Sequence, residues 1–191
     1  MRKSKEETAE TRKRIVAAAS EEFRRGGIDG TGLADLMGAA GLTHGGFYKH
    51  FGSKEQVVEE SLALAIGSML ERIKGTMAAS PGDGGLRAAI ADYLSVEYRD
   101  NVAGGCPFVA LGSEMARGGD AVRNVATTGF LEMTETIAGQ LEDLLPEDAR
   151  NEALVMLSTM IGAATIARFV SDPDLSETVL RQAREHLTKS S

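Results

Sequence analysis

Glycine and proline cut this 191-residue chain into segments, and almost every segment repeats its apolar residues at helical spacing. Ile15, Val16, Ala19 and Phe23 form one stripe, closed by Gly26-Gly27. Leu33, Leu36, Met37 and Ala40 form a shorter one, broken at Gly41. Val58, Leu62, Ala65, Met69 and Ile73 share one face of a long segment, and the stretch SKEQ at Ser53–Gln56 matches a capping box at its start. No stretch reads convincingly as a strand. The breakers at 80–85, 103–105, 118–119, 146 and 171–174 divide the rest, so an all-α fold of about nine helices is expected, over about 7–25, 33–40, 43–51, 53–78, 86–100, 107–118, 120–144, 147–171 and 175–189. Three short helices precede residue 52 and longer ones follow. That implies an N-terminal module over 1–52, joined through the helix at 53–78 to a helical bundle over 53–191.

Charge narrows the function classes. The net charge of −7 argues against indiscriminate binding to nucleic acid or membrane. Residues 1–60 carry ten basic and ten acidic side chains, so the whole deficit lies beyond them, and residues 1–14 hold six basic against three acidic groups. A basic arm of this kind suits a nucleic-acid backbone or minor groove. The one cysteine, Cys106, excludes an intrachain disulfide and fits a reducing compartment. The charged N-terminus has no apolar leader region, so a cytoplasmic protein is expected. Residues 153–170 have 13 apolar members of 18, yet include Arg168 and fall short of a full span. A helix buried nearly all round is expected there, not a membrane crossing. No HExxH, GxSxG or P-loop spacing occurs, so no enzyme, metal or cofactor is expected.

The segment LTHGGFYKHFGSKE at 42–55 stands apart. Two adjacent glycines lie inside a short helical pattern, followed by aromatics and bases, with no acid between Thr43 and Lys54. Helix, tight turn at Gly41 and helix is the spacing of a helix-turn-helix, whose second helix enters the DNA major groove. Bare glycines there let a helix start approach the duplex, where unpaired amide N–H groups attract phosphate. His44 and Lys49 are the side chains placed to read base edges. Thr43 caps the helix and reaches a phosphate; Tyr48, His50 and Lys54 fix register on the backbone. Phe47 and Phe51 pack inward, and Thr31 caps the preceding helix.

From Ile15 to Leu62 the sequence resembles the DNA-binding domain of the TetR/AcrR family of transcriptional regulators. The match lies in RIVAAASEEFRRGG and GTGLADLMGAAGLTHGGFYKHFGSKEQVVEESL, above all in Phe47, Tyr48, His50, Phe51 and Lys54 at the family's spacing. The resemblance implies a homodimeric repressor of a palindromic double-stranded operator, with a divergent C-terminal domain whose small-molecule effector separates the two reading heads. It places Thr31, Thr43, Tyr48, His50 and Lys54 at phosphate-contact positions, and His44, Gly45, Gly46 and Lys49 toward the groove. Gly32 departs from the Thr or Ser often found there. The stretch GGCPFVALGSEMARGGDAVR at 104–123 resembles a subgroup with a Gly-Cys motif opening the sixth helix. A buried structural thiol is one reading of Cys106; a sensor thiol activated by the helix start is the other. A third possibility for the whole chain is a helical ligand- or protein-binding module that never meets DNA.

For the C-terminal part, Tyr93, Phe108, Met115, Phe130, Met133 and Met156 are the expected lining of a mostly apolar ligand pocket. The helix at 153–170, whose small residues Gly162, Ala163, Ala164 and Ala167 permit close approach, suggests the dimer face, with Met160, Ala164 and Ala167 as its contacts and the helix at 175–189 as its companion.

Overall fold

The computed structural model describes residues 5–80 and 84–189. Residues 1–4 of the basic arm, 81–83 of the breaker at 80–85 and the last two residues lie outside the described part. Among the described residues there are nine α-helices, one 3-10 helix and no strand, as the periodicity predicts. They are α1 (Lys5–Gly26), α2 (Leu33–Ala39), the 3-10 helix His44–Lys49, α3 (Lys54–Ala79), α4 (Gly84–Tyr93), α5 (Val96–Asp100), α6 (Pro107–Arg117), α7 (Asp120–Ala138), α8 (Pro146–Phe169) and α9 (Pro173–Lys189).

Three boundaries differ from the sequence expectation. The single helix expected over 86–100 is two, because the Ser95 hydroxyl accepts the Tyr98 amide and starts α5 afresh. The helix from 120 stops at Ala138, with Gly139 at its end. The helix expected over 43–51 is a six-residue 3-10 helix, since two glycines and a short segment supply little α-helical propensity. The capping box at Ser53 forms: its hydroxyl accepts the Gln56 amide at 3.2 Å. The Gln56 side chain returns to the amide of Gly52 at 2.9 Å, one residue earlier than the standard box.

Two apolar clusters organise the packing. One joins α1, α2, the 3-10 helix and the start of α3, through Ile15, Phe23, Leu36, Phe47, Phe51 and Val58. It also takes in Leu111 and Met115 of α6 and Val122 of α7. The other fills the bundle of α3–α9 around Ile90, Tyr93, Met133, Met156 and Leu157.

Between α2 and the 3-10 helix the chain turns through Gly41 at φ +69°. The Leu42 amide donates to Met37 at 2.8 Å and the Gly41 amide to Gly38 at 2.9 Å, the paired bonds of a Schellman ending. An added Cβ at Gly41 meets nothing within 4 Å, so only the left-handed backbone opposes a side chain there. Gly41→Ala is therefore expected to lower stability by about 1 kcal/mol, read as a shifted urea midpoint with an unchanged slope. No shift would mean that the turn relaxes out of the left-handed region.

Candidate nucleic-acid interface

The second helical element of the helix-turn-helix is held from beneath by its phenylalanines. Phe47 and Phe51 are buried and stack with centroids 5.5 Å apart. Tyr48 stands edge-on to Phe47 at 5.2 Å and remains 67% exposed. Thr43, His44, Gly45 and Lys49 are exposed beside it, while Gly46 and His50 are half-buried. The two glycines differ. A Cβ on Gly46 would lie 3.5 Å from the Met37 methyl, whereas one on Gly45 would meet nothing within 4 Å. Gly45 therefore faces open space, and packing inside the protein gives no reason for its missing side chain. No carboxylate occurs in the sequence between Asp35 and Glu55, so the exposed tip carries only cationic and neutral polar groups.

Two cations lock the tip from behind. Arg12 of α1 donates to the His50 carbonyl, pairs with Glu60 and lies 4.1 Å over the Phe51 ring. Lys54 donates its ammonium to the Ile28 carbonyl and is half-buried. That carbonyl, not a phosphate, already offsets the unfavourable placement of a cation at a helix start. Thr31 does not cap α2: Gly32 occupies that position, and the Thr31 hydroxyl turns inward to the Gly27 carbonyl at 2.7 Å. With 6% exposure it cannot reach a phosphate without leaving the core. Thr43 does occupy the cap position of the 3-10 helix, but its hydroxyl makes no cap bond and faces solvent.

The tip is tied to the bundle through α6. The Glu114 carboxylate accepts the amides of Ile28 at 2.7 Å and Asp29 at 3.3 Å, just after α1. Gly27 reaches this position at φ +78°, and a Cβ on it would lie 3.0 Å from the same carboxylate. On the other flank, the Arg24 guanidinium donates to the Gly105 carbonyl at 3.3 Å. A cleft of about 250 Å³ opens between these attachments, lined by Ile28, Lys54, Val58, Glu114 and Arg117 among others. Arg12, Arg24 and Glu114 carry no local sequence signal, because their partners lie 38, 81 and 86 residues away.

Comparison with known proteins decides the family. Residues 15–61 match the bacterial regulatory proteins of the tetR family, and residues 82–183 match the tetracyclin repressor-like C-terminal domain. This chain belongs to the TetR family. The HTH-type transcriptional regulator AcrR of Shigella flexneri is 29% identical over 174 residues, covering 84% of this chain and 80% of that protein. The regulator TtgR of Pseudomonas putida is 42% identical over 62 residues, covering 32% of this chain and 30% of that protein. A TetR transcriptional regulator from Chloroflexus aurantiacus superposes with a TM-score of 0.81 at 30% identity, covering 96% of this chain and 95% of its own. The protein is thus a DNA-binding transcriptional regulator of the TetR/AcrR type.

In this TetR-family chain the residues singled out for ligand and dimer fall in several places. Tyr93, Met133 and Met156 are buried in the bundle core, and Phe108 meets Phe130 edge-on at 6.0 Å. Met115 lies elsewhere: α6 turns it into the N-terminal cluster, so it is not part of a bundle pocket. Met160, Ala164 and Ala167 are 2%, 4% and 3% exposed within the single chain. They pack against their own bundle, so they are not available as a dimer face. Nor is α8 buried all round. Its opposite side exposes Val155 at 57%, Ile166 at 42% and Phe169 at 72%. Among the described residues α8 alone has the length and apolarity of a membrane span, and 39% of that apolar stretch is buried inside the protein.

Cys106 opens α6 at its cap position and is 1% exposed. Burial pushes its thiol pKa up; the Tyr93 hydroxyl and the amides of Val109 and Phe108 pull the other way and lose. In the native protein the thiol is expected to react with a disulfide reagent at pH 7.5 at least ~100-fold more slowly than in denaturant. Comparable rates in the two states would restore the sensor reading.

Proposed function

We propose that this regulator is a homodimeric, cytoplasmic repressor that reads a palindromic operator through the exposed tip at 43–49 and leaves it when a small, mostly apolar effector binds the C-terminal body. On this reading residues 1–52 form the reading head, and α3 connects it to the ligand-binding and dimerisation part over 53–191. The observation that carries it is Gly45, open to solvent beside exposed His44, Tyr48 and Lys49. A side-chain-free, acid-free tip of this kind fits close approach to a polyanion. Gly46 lies next to it. Lys49 and His44 are assigned to base edges, and Thr43, Tyr48 and His50 to the phosphate backbone. Lys54 serves chiefly to hold the Ile28 carbonyl, and Thr31 has no contact role.

A gel shift on the gene's own upstream region tests this reading. Gly45→Leu is expected to leave the melting temperature within about 2 °C, since the side chain meets nothing. It is expected to weaken operator binding at least tenfold. Lys49→Ala is expected to weaken binding and reduce the salt slope by about 1. A folded protein that forms no complex even at low salt, or a Gly45→Leu variant that binds as well as wild type, contradicts the reading.

The dimer is assigned to the outer stripe of α8, where Val155, Ile166 and Phe169 expose more apolar surface than a lone helix keeps in water, with Leu175 at the start of α9 adding 49% exposure. The effector is assigned to the bundle around Tyr93, Phe108, Phe130, Met133 and Met156. Phe169→Glu should give a monomer by light scattering at micromolar concentration, with little change in helicity, because the residue touches no core. A dimer that survives both Phe169→Glu and Val155→Glu would place the interface elsewhere.

A further inference from the structure

Three buried polar groups in the bundle have the same deficit. The Nε of Arg24 and the hydroxyls of Tyr93 and Tyr98 have no well-directed hydrogen-bond partner. Their residues are 8%, 2% and 4% exposed. Nε can only donate, and each phenol has a proton to give. They lie in one cluster. The tyrosine rings are 5.2 Å apart, the Tyr93 hydroxyl faces the Cys106 thiol, Arg168 acts electrostatically on Tyr93, Arg24 on Tyr98, and both on the thiol.

Two guanidiniums clasp the backbone at Gly105. Arg24 enters from α1 and donates to its carbonyl. Arg168 enters from α8, donates its Nε to the Arg99 carbonyl at 2.9 Å, and places Nη2 2.6 Å from where a Cβ on Gly105 would stand. No side chain other than hydrogen fits residue 105 while Arg168 keeps this place. Neither arginine forms an ion pair among the described residues. The nearby carboxylates are engaged: Asp92 pairs with Arg72 and Asp100 with Arg99. Burial lowers the Arg24 pKa, and Tyr98, Glu21 and Cys106 offset it only in part. The cluster therefore holds surplus donors and surplus positive charge, and what it lacks is an acceptor carrying negative charge. Arg168 also walls a cleft of about 370 Å³, where Val102, Ala167, Val170 and Pro173 are apolar and the Asp100 carboxylate is paired with Arg99.

We propose that the Gly105–Cys106 turn, with Arg168 and Arg24 on its two sides and the Tyr93 and Tyr98 hydroxyls beside it, seats the carboxylate of a small organic acid whose apolar part occupies the cleft lined by Val102, Ala167 and Val170. Its regulatory meaning rests on the effector-binding reading above. Because Arg24 belongs to α1, an anion here acts on the helix that carries the reading head. The Tyr98 hydroxyl and the Arg24 Nε have no native bond to give up to the carboxylate, and the Tyr93 hydroxyl has only the Cys106 thiol to turn from.

Benzoate is the probe, with benzamide as its neutral isostere and nitrate as a bare anion, all at constant ionic strength on the full-length protein without DNA. Benzoate is expected to raise the melting temperature by roughly 3 °C at about ten times its dissociation constant. Benzamide and nitrate should give less than a third of that. The chain has three tyrosines and no tryptophan, so a tyrosine difference spectrum should accompany binding. Tyr98→Phe removes a hydroxyl with no partner; its melting temperature should equal or exceed that of wild type, while the benzoate shift falls at least threefold. Arg168→Gln should abolish the shift. Equal shifts from benzoate and benzamide, no shift from any of the three, or a full benzoate shift in both variants overturns the proposal. A nitrate shift matching that of benzoate overturns the organic-acid assignment. Since no DNA is present, loss of the operator reading would leave these outcomes unaffected.

Discussion

The reading head owes its position to the wedge that α6 drives against α1. Leu111 and Met115 share a core with Phe23, Leu36 and Phe47, and Glu114 closes the amides of Ile28 and Asp29 above them. Burying two such side chains stabilises by about 1.5–3 kcal/mol each, and a charge-assisted bond adds about 1.5–3 kcal/mol. The sum is comparable with the net stability of a small domain. The N-terminal helices are therefore not a bead on a string: the apolar core that holds them is partly supplied by the bundle. In the proposed repressor, an effector that displaces α6 must carry residues 27–29 with it, and through the Lys54–Ile28 contact the start of α3 as well.

The tip itself follows from a conflict between local preference and tertiary anchoring. Glycines at 45 and 46 weaken any α-helix, and the segment tightens to a 3-10 helix. Phe47 and Phe51 hold it to the core regardless, and Arg12 ties down its last carbonyl. The result is a short, rigid platform whose outward side presents Thr43, His44, Tyr48 and Lys49 around a bare Gly45.

Much of this was legible in the sequence because it depends on short-range physics. Breakers and 3.6-residue periodicity place the helices, the Ser53 cap forms, and the inward face of Phe47 and Phe51 opposes the outward face of Tyr48 and Lys49 as spacing demands. The misreadings share a different cause. Thr31 looked like a cap, but the left-handed turn at Gly27 swings a carbonyl under its hydroxyl. For Lys54 the spacing suggested a phosphate and gave no sign of its bond to the Ile28 carbonyl, 26 residues earlier. On α8, small and large apolar residues cover both sides, so composition could not tell the core side with Met160, Ala164 and Ala167 from the outer side with Val155, Ile166 and Phe169. Met115 was assigned to the wrong cluster because periodicity gives a helix an apolar face without saying which neighbour takes it.

Amide hydrogen exchange at Ile28 and Asp29, compared between wild type and Glu114→Ala, tests the α6 wedge most directly. The account expects both amides to be protected in wild type and to lose at least tenfold of that protection in the variant, while amides in α9 exchange as before. Unprotected amides in wild type, or protection that survives removal of the carboxylate, would contradict it and detach the head from α6.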